Sequence, residues 1–274
     1  MSSIKDQYTR KNIKSDILKL VLFRFDISGL SDLTPFVDAL CQESFMRNAF
    51  KKRRHFSSPK DVRPFRNNIS VNGTLPLSER TQREIYRFSE CTINKNPNVL
   101  LDITPDNICL TISCSGAYEG SEKYTDFLIN VLDVLAKVNS FIYINRLGIR
   151  KIDSVEVKKL NEITSFFDEN YVVANDLSHF NGGLESTKTS IFFINDVHYN
   201  VVQHVVKKGE ESYQLVFDVD AYTEEEEDEE PVDTNSKNLR ELMYVEMQDN
   251  MFKFFKDVAS IDYLEKCKIK GEQQ

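Results

Sequence analysis

The chain has 274 residues, of which 41% are hydrophobic and 28% charged, with 19 Phe and 11 Tyr. That composition excludes a disordered polymer and supplies a real core. The polar stretch Met1 to Lys14 lacks the apolar region of a secretory signal, and no apolar run approaches a membrane span, so a cytoplasmic protein is expected. The five cysteines Cys41, Cys91, Cys109, Cys114 and Cys267 are odd in number and form no CxxC pair, which predicts free thiols rather than a disulfide framework or a zinc knuckle.

In chain order, residues 1–17 read as a polar N-terminal segment, and Leu18 to Asp26 alternates as a strand does. Thr34 before Pro35 starts a helix carrying Phe36, Val37, Leu40, Cys41 and Phe45 at helical spacing, ending near Phe50. Residues 51–82 show no clear period and predict a long irregular connection with a short strand near Asn68 to Val71. Strands follow at Glu84 to Thr92, Val99 to Ile103 and Asn107 to Ser113, and their short spacers favour antiparallel pairing. Ser121 can cap a helix whose Tyr124, Phe127, Leu128, Val131, Leu135 and Val138 share one face.

The strand Phe141 to Asp153 comes next, then a variable stretch to Leu184, a hairpin from Ser190 to Lys207 and the strand Tyr213 to Tyr222. After an acidic loop at 223–235, one long helix is expected from its stripe of Leu239, Leu242, Met243, Met247, Met251, Phe254, Phe255 and Val258. The expected architecture is therefore α+β, with antiparallel sheet and long amphipathic helices packed on one face. Two α/β halves are expected, 18–154 and 155–265, with a polar tail at 266–274; their similar element order leaves a duplicated unit open.

The pieces Arg146, Gly148 and Arg150, then Phe217, Asp218, Asp220 and Tyr222, then Met251, Phe254 and Phe255 resemble an uncharacterised, sporadically distributed prokaryotic family. Its pattern is an Arg-x-Gly-x-Arg-Tyr-x-Asn strand, a Leu-Asp-x-Asp-x-Tyr strand and a long C-terminal helix. Here Lys151 replaces the tyrosine and Asp153 the asparagine. The resemblance implies an architecture and brings no activity.

Asp218 and Asp220 lie two apart on a strand and so share a face. Two carboxylates there can hold a divalent cation, with His198 or His204 as neighbours, or they accept hydrogen bonds from Arg146 or Arg150 as a structural ion pair. Arg146 and Arg150, flanking Gly148, can likewise clasp a carboxylate or phosphate, or organise the sheet. Arg47, Lys51, Lys52, Arg53, Arg54, Lys60, Arg63 and Arg66, interleaved with Phe50, His55, Phe56 and Phe65, have the chemistry of a nucleic-acid contact, or form a solvated loop.

Glu224, Glu225, Glu226, Glu227, Asp228, Glu229 and Glu230, with Asp233, supply eight carboxylates, equal to the whole formal charge of −8. They are a solvated run or an attractor for a basic protein partner. No nucleophile elbow, phosphate loop, HExxH or redox CxxC occurs, and Gly182-Gly183 reads as a turn. No cofactor is expected. The leading expectation is a non-catalytic module that binds another protein, in the manner of an antitoxin, immunity or defence-associated factor. The alternatives are nucleic-acid binding through 47–66 and a metal-dependent enzyme using Asp218 and Asp220.

Overall fold

The structure, a computed structural model, describes residues 4–28, 32–56, 84–93, 98–114, 120–139, 141–168, 171, 185–209, 212–224 and 236–269. The expected short strand near Asn68 to Val71, the Gly182-Gly183 turn and most of the acidic run lie outside them. Among the described residues there are nine strands: β1 (Leu18–Ser28), β2 (Phe50–Phe56), β3 (Ile85–Cys91), β4 (Val99–Ile103), β5 (Asn107–Ser113), β6 (Tyr143–Val157), β7 (Glu185–Ile194), β8 (Val197–Lys208) and β9 (Ser212–Glu224). They form one antiparallel sheet in the order β2-β3-β4-β5-β1-β6-β9-β8-β7.

This overturns the expectation of long amphipathic helices packed on a sheet: the sheet dominates, and the helices are few and short. The helix expected from Thr34 to Phe50 is two pieces, α1 (Thr34–Gln42) and α2 (Ser44–Ala49), because Glu43 between them is extended at φ −72°, ψ 134°. α3 (Glu122–Val138) is the longest α-helix, at 17 residues; Ser121 precedes it but its side chain makes no capping hydrogen bond. The C-terminal helix is divided into α4 (Ser236–Arg240), a π-helical stretch (Glu241–Met247), α5 (Gln248–Val258) and, beyond an extended Ala259, α6 (Ile261–Cys267). Its buried residues Leu239, Met243, Met247, Met251 and Phe255 recur at every fourth position. That spacing drifts about 40° per step around an α-helix of 3.6 residues per turn, and the wider π turn takes up drift of this kind.

The chain forms two compact units: Met1–Val21, Ile149–Tyr222 and Met243–Gln274 make one, and Leu22–Gly148 with Thr223–Leu242 the other. In the second, Val99, Leu101, Ile103, Ile108, Leu110 and Ile112 are fully buried on alternate positions of β4 and β5, as strands with one covered face require. Phe127 of α3 meets Phe45 and Phe50 edge-on at 5.6 and 5.7 Å, geometries that aromatic pairs favour. In the first unit, Val197, Tyr199, Val201, Gln203 and Val205 of β8 are buried while His198, Asn200, Val202 and His204 between them are half-buried. α5 lies on the buried side: Phe254 packs on Phe192 at 4.8 Å and on Tyr199 at 5.4 Å, and Phe255 on Phe217 at 6.2 Å.

The chain ends of this unit are tied together by backbone bonds, Lys14 to Cys267 and Ile269 to Asn12, each 2.9 Å. Inside it Asp153 is buried, with Ser15 Oγ 3.4 Å from its carboxylate and 3.1 Å from the Tyr263 hydroxyl. Burial pushes the Asp153 carboxyl up from 3.8 to about 7, against the opposing pull of Lys151, the Ser15 bond and Lys19, with Asp218 adding to the rise. The native state therefore keeps a proton that the unfolded chain has lost, so the contribution of Asp153 to stability is full below about pH 4 and is lost as pH rises through about 7. Asp153→Asn should flatten this slope and be more stable than wild type at pH 8 by on the order of 2–4 kcal/mol in urea unfolding followed across pH 4 to 8; an unchanged slope would contradict the burial argument.

Candidate functional site

β7 and β8 are joined by Asn195 and Asp196, both with left-handed backbone at φ 48° and 60°, the requirement of the tight two-residue hairpin turn. This sets Ile194 opposite Val197, Phe193 opposite His198, Ile191 opposite Asn200 and Thr189 opposite Val202. β8 then sets His198 opposite Tyr222, Asn200 opposite Asp220 and Val202 opposite Asp218. Because strand side chains alternate, the face away from α5 carries three successive rows: Phe193, His198 and Tyr222; Ile191, Asn200 and Asp220; Thr189, Val202 and Asp218.

The first row is a line of rings. Phe193 and His198 have centroids 4.9 Å apart, tilted by 58°, and His198 stacks on Tyr222 at 5.2 Å and 8°. Phe193 is 63% and Ile191 72% exposed. In the third row Asp218, only 5% exposed, accepts from Arg150 Nε at 2.9 Å and from Arg150 Nη2 at 2.5 Å. These hydrogen bonds raise the Arg150 pKa, against desolvation, with the Asp218 and Asp220 charges adding to the rise. Asn200 Oδ1 is buried with no hydrogen-bond partner among the described residues. Farther along, His204 Nδ1 lies 2.7 Å from Thr187 Oγ1.

The structure thus joins Arg150 to Asp218 and sets Asp220 on the same face. Arg146 lies in the other unit, 3.9 Å from Asp26. Neither histidine is directly opposite Asp218, and among the described residues no group of three His, Cys, Asp or Glu side chains gathers for a metal.

The basic stretch, expected to be irregular, contains a strand. Arg47 is on α2, and Lys51, Lys52, Arg53 and Arg54 are all exposed on β2, an edge of the sheet. Lys52 pairs with Glu90 and Arg53 with Asp38 at 3.6 Å. Arg54 stands directly opposite Arg87, whose guanidinium is held bidentately by Asp102 at 2.7 Å. Lys60, Arg63 and Arg66 lie outside the described residues, as do 225–230; Glu224 is the last residue of β9.

Sequence reasoning missed the ring row, although Asn195-Asp196 between two β-prone runs contained the register that creates it. No protein-family model matches the chain, and no curated protein matches it. No helix among the described residues is long and apolar enough to cross a membrane.

Removing Asp218 leaves the Arg150 guanidinium partly buried beside no carboxylate of its own row. Asp218→Ala should cost about 3 kcal/mol in chemical denaturation, whereas Arg150→Met with Asp218→Leu together should cost far less; equal losses would show that packing rather than charge explains the site.

Proposed function

We propose that this chain is a non-catalytic protein-binding module that engages its partner through the β7 edge and the ring-bearing face of β7, β8 and β9. The observation that carries this reading is the chemistry of β7. It is ten residues long, stands at the end of the strand order among the described residues, contains no proline, has only Glu185 and Lys188 as charged residues, and exposes Ile191 and Phe193. Exposed strands of this kind invite pairing, and proteins that must avoid it guard their edges with lysine, proline or bulges. In sequence, β9 runs directly into the carboxylates that begin at Glu224, which favours encounter with a basic partner.

A neutralising role, of the kind antitoxins and immunity proteins play, needs no more than such a surface. The five cysteines, none of them in a disulfide, support a cytoplasmic setting. With a photocrosslinking side chain at position 191, the full chain in its native cells should yield discrete crosslinked protein bands that Phe193→Asp removes. Bands unchanged by Phe193→Asp, or none at all, would sink the reading.

One observation favours nucleic acid as a second reading. Arg47, Lys51 and Arg54 are exposed and make no ion pair among the described residues, and exposed cations of this kind are the groups that neutralise phosphates. Single-stranded oligonucleotide binding, measured by fluorescence anisotropy, should then weaken with salt, and Lys51→Ala with Arg54→Ala should make the log–log salt slope shallower by about 1.4. No binding at low salt removes this reading. The enzyme reading at Asp218 and Asp220 has no comparable observation behind it.

A further inference from the structure

We infer that a single-stranded nucleic acid lays an unpaired base on His55, as the next ring beyond the stack of Tyr86 and His55, while Lys51 and Arg54 take phosphates of the same strand. The inference rests on the nucleic-acid reading above and names the form of nucleic acid and the side chain that meets its bases. It follows first from register. β2 sets His55 directly opposite Tyr86 of β3, and the two rings stack with centroids 4.4 Å apart and planes 10° from parallel. Tyr86 is buried at 8% exposure and stands opposite the fully buried Ile103 of β4, so the inner ring of the stack is anchored in the core. The outer ring is not: the His55 side chain is 44% exposed. β2 ends the strand order of the described residues, and the stacking direction runs from β3 to β2. The ring face of His55 that Tyr86 leaves uncovered is therefore turned outward across that edge. A nucleobase of any identity has the flat face that extends such a stack.

Charge selects nucleic acid among flat ligands. Three β2 side chains already face carboxylates: Lys52 pairs with Glu90, Arg53 lies 3.6 Å from Asp38, and His55 Nε2 lies 3.8 Å from Glu84. Lys51 and Arg54 are exposed and make no ion pair among the described residues. Both are within four positions of His55, a reach of roughly 13 Å at about 3.3 Å per residue. Cations that track a backbone beside a ring that stacks a base are the two parts of a single-strand site. Guarding an edge against pairing needs the cations alone, and gives no role to an exposed ring stack in their midst. The bases of a duplex are stacked and paired with one another, so an unpaired strand is what fits.

The test uses the full chain at pH 8 and three labelled probes in fluorescence anisotropy. They are an oligothymidylate of about ten nucleotides, within the usual size of single-strand sites, an abasic phosphodiester strand of the same length, and the thymidylate annealed to its complement. The thymidylate should bind at least fivefold more tightly than the abasic strand and more tightly than the duplex. His55→Ala should bring the thymidylate to the affinity of the abasic strand without changing the salt slope, since no phosphate contact is lost, and His55→Phe should keep the preference. Lys51→Ala with Arg54→Ala should weaken both single strands by the same factor. The ring proton resonances of His55 should move on adding thymidylate and stay in place on adding the abasic strand.

Equal binding of the thymidylate and abasic strands, or a preference indifferent to His55→Ala, rejects the base on His55; if Lys51→Ala with Arg54→Ala still weakens binding, the nucleic-acid reading stands without it. A duplex bound as tightly as the single strand overturns the inference. So does an oligoglutamate peptide that binds as tightly as the thymidylate, which would assign the cations to an acidic protein segment. No binding of any strand at low salt rejects the inference and the nucleic-acid reading together.

Discussion

The turn at Asn195 and Asp196 permits one register of β7 on β8, since both residues hold positive φ and asparagine and aspartate tolerate that conformation better than branched or bulky residues do. A slip of one residue would move Thr187, Thr189, Ile191 and Phe193 to the α5 side and bring Ser190 and Phe192 out. Phe192 would then lose Phe254, its partner at 4.8 Å. Packing under α5 and turn chemistry thus enforce the same register. The ring row opposite is a consequence of that double constraint, assembled from three strands by pairing alone.

The polar residues on the same face obey a different logic. Arg150 and Asp218 are brought together at low exposure, where each would be costly alone and the bidentate geometry satisfies both. Such a pair adds little net stability against an apolar replacement, but it penalises arrangements that separate the two groups. Asp153, by contrast, has among the described residues the Ser15 hydroxyl rather than a cation in hydrogen-bonding contact, and burial shifts its protonation instead. The two carboxylates are both close to fully buried, and only Asp218 has a guanidinium within bonding distance among the described residues.

What the sequence revealed depended on whether one side of an element is covered. β4 and β5 alternate cleanly, since every second residue is buried, and their limits are those expected from the sequence. β2 carries Lys51, Lys52, Arg53, Arg54 and His55, all exposed; with neither side covered it has no alternation to read, and it passed for loop. The C-terminal stripe was visible as apolar residues, but regular α-helix was the wrong template for an every-fourth spacing, and the extended Ala259 carries no glycine or proline to announce it. For the site, Asp218 and Asp220 were visible as a same-face pair. The ring row was not, because Phe193, His198 and Tyr222 lie 5 and 24 positions apart and only the pairing of β7, β8 and β9 makes them neighbours.

The two edge strands named by the strand order, β2 and β7, carry opposite chemistry. β2 has four consecutive cations, the commonest means by which an edge is kept from pairing. β7 has one lysine, Lys188, and it lies on the α5 side of the strand, opposite Gln203, so it does not shield the outward face at Ile191 and Phe193. In the strand order of the described residues β7 is a ten-residue edge with one lysine and no proline, and a chain able to place cations along one edge is able to place them along the other. Of the two edges in the strand order of the described residues, β7 is therefore the one on which the proposed protein-binding reading rests.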